Sequence, residues 1–141
     1  MNYKEDEGYY VNRHSCILLQ YHLVLVTKYR RPVIDGDLKE ALYSHIRKFM
    51  EDRGMNVIEI NGEVDHVHVL FEAPPQINLA TFVNNVKTSS SRRMRTDYKE
   101  QVDKYCWKPY FWSLSYFLAT VSDRSKEAVR KYIQNQNIGK N

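Results

Sequence analysis

The chain of 141 residues has only two cysteines, Cys16 and Cys106, with no Cys-x-x-Cys spacing. They can pair at most once, which excludes a disulfide-built scaffold or a cysteine zinc ribbon and leaves a reduced intracellular chain as the expectation. No apolar run approaches the roughly 18 residues needed to span a bilayer, and the start Met1-Asn2-Tyr3-Lys4-Glu5-Asp6-Glu7 is polar, unlike a signal peptide. A cytoplasmic protein with no membrane contact is expected. No Walker-type glycine loop is present, so no nucleotide cofactor is expected. Internal repeats and low-complexity segments are absent as well. Neither charge sign dominates, with 21 Lys and Arg against 17 Asp and Glu; the resulting pI near 9.0 suits a polyanionic partner but is mild evidence for one.

What the chain does have is apolar content: 43% hydrophobic and 13% aromatic, enough for one domain with a core. Residues 1–15 read as a polar arm, ordered only if it docks, and residues 16–141 as one domain. From Cys16 to Lys28 a β-rich run forms a first, central strand, closed by Lys28-Tyr29-Arg30-Arg31-Pro32. Asp35-Gly36-Asp37 offers cap chemistry to a helix carrying Leu38, Ala41, Leu42, His45, Ile46 and Phe49, which stops at Gly54. Met55 to Ile60 alternates, Asn61-Gly62 is the strongest hairpin signal, and a third strand runs to Glu72. After Pro74-Pro75, Leu79, Phe82, Val83 and Val86 mark a second helix with a basic, serine-rich continuation from Lys87 to Arg95. Residues 97–109 read as a connection, 110–121 as an aromatic fourth strand, and about 123–137 as a last helix capped by Ser122-Asp123. The order β-α-β-β-α-β plus a helix predicts an α+β fold, a ferredoxin-like split βαβ antiparallel sheet with an appended C-terminal helix.

The chemistry starts at Asp65-His66-Val67-His68. Residues i and i+2 of a strand share a face roughly 7 Å apart, close enough for two imidazoles to reach one ion. Catalytic metal sites usually take three protein ligands, so a third is needed. On the last helix Tyr132 and Gln136 stand at i and i+4, on one face, while Ala128, Val129 and Ile133 let that helix lie on the sheet. Docked over the histidine strand, it would present a phenol and an amide oxygen to the same ion. Glu72, on the histidines' strand face, competes as third ligand, with Glu63, Asp65 and His22 weaker candidates.

His66-Val67-His68 followed by Tyr132-Ile133-x-x-Gln136 resembles the single-tyrosine HUH transposases of small bacterial insertion sequences, the insertion sequence 200/605 family, with the REP-associated tyrosine transposases as relatives. Supporting stretches are Tyr21-His22-Leu23-Val24, Thr27-Lys28-Tyr29-Arg30, Asp65, Lys87 with Ser90, Arg92 and Arg93, and Trp112-Ser113 with Ser115-Tyr116; together they span roughly residues 16–137. The resemblance implies metal-dependent cleavage and rejoining of single-stranded DNA, excising and inserting a small mobile element, with Tyr132 as nucleophile and His66, His68 and Gln136 as metal ligands. A tyrosine nucleophile conserves bond energy as a phosphotyrosine, so rejoining needs no ATP. The ligands tolerate several divalent ions, and the family favours Mg²⁺ or Mn²⁺. It also implies single-stranded DNA with hairpin ends as partner and a homodimer, because one tyrosine per chain must serve two cuts. Whether the tyrosine helix serves its own or the partner's histidines stays open.

Phosphate contacts are expected from Lys28, Arg30 and Arg31 and, along the second helix, from Lys87, Arg92, Arg93 and Arg95; Tyr29 or Trp112 would stack on unpaired bases. Two competing readings remain at this level. One is a non-enzymatic ferredoxin-like nucleic-acid binder with structural histidines; the other is a domesticated relative acting on hairpin repeats or origins.

Overall fold

The computed structural model describes residues 2–4, 9–11, 16–17, 19–107, 110–121 and 123–136, with side chains from Leu19 onward apart from 123–126. Within these the chain runs β1 (Asn2–Lys4), β2 (Tyr9–Val11), β3 (Cys16–Ile17), β4 (Gln20–Val26), α1 (Gly36–Glu51), β5 (Asn56–Glu63), β6 (His66–Glu72), α2 (Leu79–Asp97), α3 (Lys99–Tyr105), β7 (Phe117–Thr120) and α4 (Asp123–Asn135). A single 3-10 turn at Lys28–Arg30 follows β4. The main sheet is antiparallel, in the order β5-β6-β4-β7. That is the ferredoxin-like order, with the first and third strands of the motif central.

Period-two alternation decides which helices go where. Along β4 and β6, Leu23, Leu25, Val67, Val69 and Phe71 point to one face, where α1 contributes Leu38, Leu42, Ile46 and Met50 and α2 contributes Phe82, Val83, Val86 and Met94 to a common core. Both helix starts are capped: Asp35 accepts from the Gly36 N–H and Asn78 from the Thr81 N–H. Each fully buried aliphatic side chain stabilises the fold by about 1.5–3 kcal/mol, so this layer carries most of the packing. On the opposite face Val24 and Val26 meet Val129 of α4, with Phe117, Tyr132 and Ile133 around them. The appended helix therefore covers the face that bears the histidines.

Several boundaries differ from the sequence-based expectation. Cys16 does not open the central strand: Cys16–Ile17 pairs with β2 in a separate three-stranded sheet with β1, and the long strand starts at Gln20. Asn61-Gly62 lies inside β5, not at its turn; the hairpin turns at Val64-Asp65, with Glu63 opposite His66. Gly62 is needed for a different reason, since a Cβ there would lie 2.2 Å from the His66 carbonyl oxygen. The expected connection at 97–109 contains α3, a mostly polar helix anchored by buried Val102. The expected strand at 110–121 is regular only over Phe117–Thr120; upstream, Trp112 makes an isolated bridge to Thr27 and its indole donates to the buried Ser90 hydroxyl. The last helix closes at Asn135, one residue before Gln136.

Candidate active site

The β4–β6 register sets His66 opposite Val26 and His68 opposite Val24, with His22 two positions along the same face of β4. His66 is buried and its Nδ1 lies 2.9 Å from Asp65 Oδ1. A carboxylate on Nδ1 fixes the ring and directs Nε2 outward, the usual arrangement behind a ligating histidine. Burial alone would raise the Asp65 carboxyl, but hydrogen bonds from His66 and Arg30 and the Arg30 charge outweigh it and hold the group below its ordinary range. His68 Nε2 lies 2.8 Å from His22 Nδ1, with the two rings stacked at 5.0 Å. Burial, then the neighbouring His22, lowers the His68 pKa below the ordinary histidine value.

Arg30 ties the histidine strand to the tyrosine helix. Its Nε donates to Asp65 Oδ2 at 2.9 Å, while Nη1 donates to the carbonyls of Ile133 at 2.9 Å and Gln136 at 3.0 Å. The Ile133 carbonyl lies in the last turn of α4 and the Gln136 carbonyl just beyond it, where acceptors lack helical partners and the macrodipole favours a cation. Tyr132, half-buried one turn earlier, packs its ring 5.4 Å from Phe117, and its hydroxyl lies 3.0 Å from Ser115 Oγ. The helix rests on β4 and β7 of its own chain.

Of the expected ligands, His66 and His68 share one face, and α4 brings Tyr132 to that face through Val129 and Ile133. Gln136 follows the helix and its carbonyl is held by Arg30. Glu72 sits at the far end of β6, buried, and accepts from Asn56. A second donor group is local: ligand atoms of Glu63, Asp65 and His66 all lie within 4.8 Å of one another. The residues thus provide an acidic and histidine cluster suited to a cation. His22 was underrated; its i, i+2, i+4 relation to Val24 and Val26 places it on the histidines' face.

The expected DNA contacts divide. Arg30 is turned inward and occupied by Asp65 and α4, because Tyr29 and Arg30 adopt left-handed backbone at φ 57 and 54. Lys28 is buried. Lys87, its pKa lowered by burial, donates to the Leu114 carbonyl, and Arg95 pairs with Asp103. Arg93 pairs with Asp97 on the surface, and Arg31 and Arg92 are exposed. Trp112 belongs to the core and is not available for stacking, whereas Tyr29 is exposed.

The four-stranded antiparallel sheet thus carries a histidine pair on one face, with the helix bearing Tyr132 laid across that face. The comparisons agree on the family. A family model described as "Transposase IS200 like" matches residues 15–136, and the chain belongs to that family of transposases. It is 36% identical over 118 residues to the ISDra2 transposase TnpA of Deinococcus radiodurans, covering 84% of both chains. Over 117 residues it is 30% identical to the transposase for insertion sequence element IS200 of Salmonella typhimurium, covering 83% of this chain and 76% of that one. Its fold matches the crystal structure of a candidate transposase from Deinococcus radiodurans with TM-score 0.83 and 30% identity, over 91% of this chain and 98% of the other. A REP-associated tyrosine transposase bound to a REP hairpin shares the fold, with TM-score 0.57 at 11% identity over 86% of this chain and 67% of that one. Among the described residues no helix is long and apolar enough to cross a membrane.

Proposed function

We propose that this transposase cuts and rejoins single-stranded DNA through Tyr132, with His66, His68 and Gln136 holding one divalent cation, Mg²⁺ or Mn²⁺. The observation that carries the reading is the Arg30 bridge, which joins the carboxylate orienting His66 to the end of the helix bearing Tyr132. The donor set fits such an ion: two imidazoles on one strand face, one of them oriented by Asp65. When bound, the cation supplies charge neutralisation and orientation of the scissile phosphate.

The chain's own residues do the rest. Phe117 and Ser115 hold the Tyr132 ring and hydroxyl, which limits the phenol to few rotamers before attack. The phenolic oxygen forms a bond to phosphorus, the bond from phosphorus to the 3′ oxygen breaks, and the released strand leaves as a 3′ hydroxyl carrying the proton. Rejoining is the reverse reaction with a new 3′ hydroxyl, so no external energy source is required. Excision takes two cuts, and a homodimer supplies two tyrosines. DNA with hairpin ends is the substrate, engaged in the cytoplasm, with Arg31 and Arg92 as exposed phosphate contacts. Residues 16–141 act as the transposase domain and residues 1–15 as its arm.

Incubation with a single-stranded oligonucleotide carrying the element's end and Mn²⁺ is expected to give a denaturation-resistant protein–DNA adduct. Chelation and Tyr132→Phe should each abolish it; an adduct surviving in Tyr132→Phe would remove Tyr132 as nucleophile.

A further inference from the structure

Beyond the strand face, the turn after β4 and the segment after α3 enclose a cavity of about 260 Å³ lined by Lys28, Tyr29, Arg31, Cys106, Trp107 and Tyr110. Its composition is unusual for a structural void. Lys28 is only 7% exposed, yet among the described residues no carboxylate pairs with it. Its ammonium instead sits 5.2 Å from the Tyr29 ring centre and 5.0 Å from that of Tyr110. Ring faces attract a cation held against them, and a buried lysine without an anion beside it is unusual. The other cations with defined roles nearby are paired, Arg30 with Asp65 and Arg95 with Asp103. The Arg31 guanidinium carbon lies 6.0 Å from the centre of the same Tyr29 ring, adding a second positive group. Trp107, by contrast, is 84% exposed, a large aromatic surface left in water.

The cavity is built into the site's framework. Thr27 donates its backbone N–H to the Asp65 carbonyl at 3.0 Å, and Lys28 donates its own to Phe111 at 2.9 Å. The successive left-handed residues Tyr29 and Arg30 put Tyr29 on the cavity and Arg30 on Asp65. Strained non-glycine backbone of this kind persists where the surroundings enforce it, often at functional sites. One loop therefore holds both the aromatic cavity and the clamp on the histidine strand.

We infer that this cavity takes one unpaired nucleotide of the single-stranded DNA, its phosphate against Lys28 and Arg31 and its base against Trp107 and Tyr110. The assignment rests on the strand-transfer reading above and names a substrate subsite beside it. Ligand pockets for drug-sized molecules start at about 300 Å³, so this space suits a single base and not a dinucleotide. Aromatic faces read any base, because every base has a π surface; the expected selectivity is for an unstacked base over a paired one. Cys106 closes the cavity with a thiol that burial pushes up to about 11, so it stays a neutral apolar wall.

The test is fluorescence anisotropy of a labelled thymidine hexanucleotide and of its fully abasic analogue against the full chain. Wild type is expected to prefer the base-bearing strand, and Trp107→Ala to weaken that strand's binding about five-fold or more while leaving the abasic one unchanged. Lys28→Met is expected to lower the slope of log affinity against log salt by about 0.7, one single-strand phosphate. If Lys28→Met fails to fold, Trp107→Ala decides alone, because its side chain stands in solvent. A base preference that survives Trp107→Ala overturns the inference, as does an unchanged salt slope in folded Lys28→Met. Inorganic phosphate that displaces both strands equally would make this an anion pocket and overturn it too. Thymidine monophosphate binding as tightly as the hexanucleotide would assign the cavity to a free nucleotide instead of a strand. The same values are expected in a Tyr132→Phe background, so failure of the nucleophile assignment and failure of the pocket read out separately.

Discussion

Replacing Arg30 with Ala separates two roles that its basic neighbourhood confuses. As a phosphate contact, Arg30 would add DNA affinity and salt dependence with little effect on folding. As the clamp seen here, it holds Asp65 and the last turn of α4 with three charge-assisted hydrogen bonds at 2.9–3.0 Å. Bonds to charged groups are worth about 1.5–3 kcal/mol each, but the three are not independent. The freed carbonyls at the end of α4 return to water, and the Arg30–Asp65 pair is 18% and 17% exposed, so it keeps part of its solvation. The net loss should be about 2–3 kcal/mol, which lowers the thermal midpoint of a domain this size by roughly 10 °C. Arg30→Lys should recover less than half, because an ammonium cannot serve three acceptors in a fixed fork. Calorimetry gives the stability, and hydrogen exchange of residues 127–135 should show α4 opening more easily in the variant. An Arg30→Ala protein with wild-type midpoint and exchange, but weaker salt-dependent DNA binding, would refute the clamp.

Other perturbations test neighbouring links. Gly62→Ala drives a Cβ toward the His66 carbonyl, a backbone atom that cannot rotate away; it should cost about 1–3 kcal/mol in denaturant unfolding, and a neutral result would show that the hairpin yields. His22→Phe keeps a ring beside His68 but removes the nitrogen 2.8 Å from His68 Nε2. It should weaken Mn²⁺ binding about 10- to 100-fold by titration calorimetry, and unchanged affinity would leave His22 a packing residue. His68 and His45 both have folded pKa values held below the ordinary histidine value, chiefly by burial, so the unfolded chain binds their protons more tightly. Stability should fall as pH drops below about 6.5 and level off below the folded pKa values. His45→Gln with His68→Gln should flatten that slope, and a slope that persists would assign it to other groups. Asp65 acts lower: its depressed pKa stabilises the fold above the ordinary carboxylate range and loses effect as pH falls through the folded value.

The sequence was informative where periodicity alone decides position. The spacing of His66 and His68 put them on one strand face, and Val129 with Ile133 gave α4 a side to lay on the sheet. Signals that depend on distant partners were misleading. Asn61-Gly62 has hairpin chemistry, yet Gly62 is there for close approach of β6, which only the paired strand reveals. Arg30 lies in a basic cluster, but its left-handed backbone turns it toward Asp65, 35 residues away. Ser90 sits in a polar, basic run and still becomes a buried acceptor for Trp112. The segment now forming α3 is nearly all polar, with Val102 as its one buried position, too few for a helical stripe to stand out. His22 needed the strand register before it could be seen beside His68.

The proposed mechanism makes Tyr132, held by α4 across the histidine face, the nucleophile. Peptide mapping of the covalent DNA adduct by mass spectrometry tests it directly. A single nucleotide-bearing peptide containing Tyr132, absent without divalent metal, is expected; attachment at any other of the eleven tyrosines, or on no tyrosine, would remove Tyr132 as nucleophile.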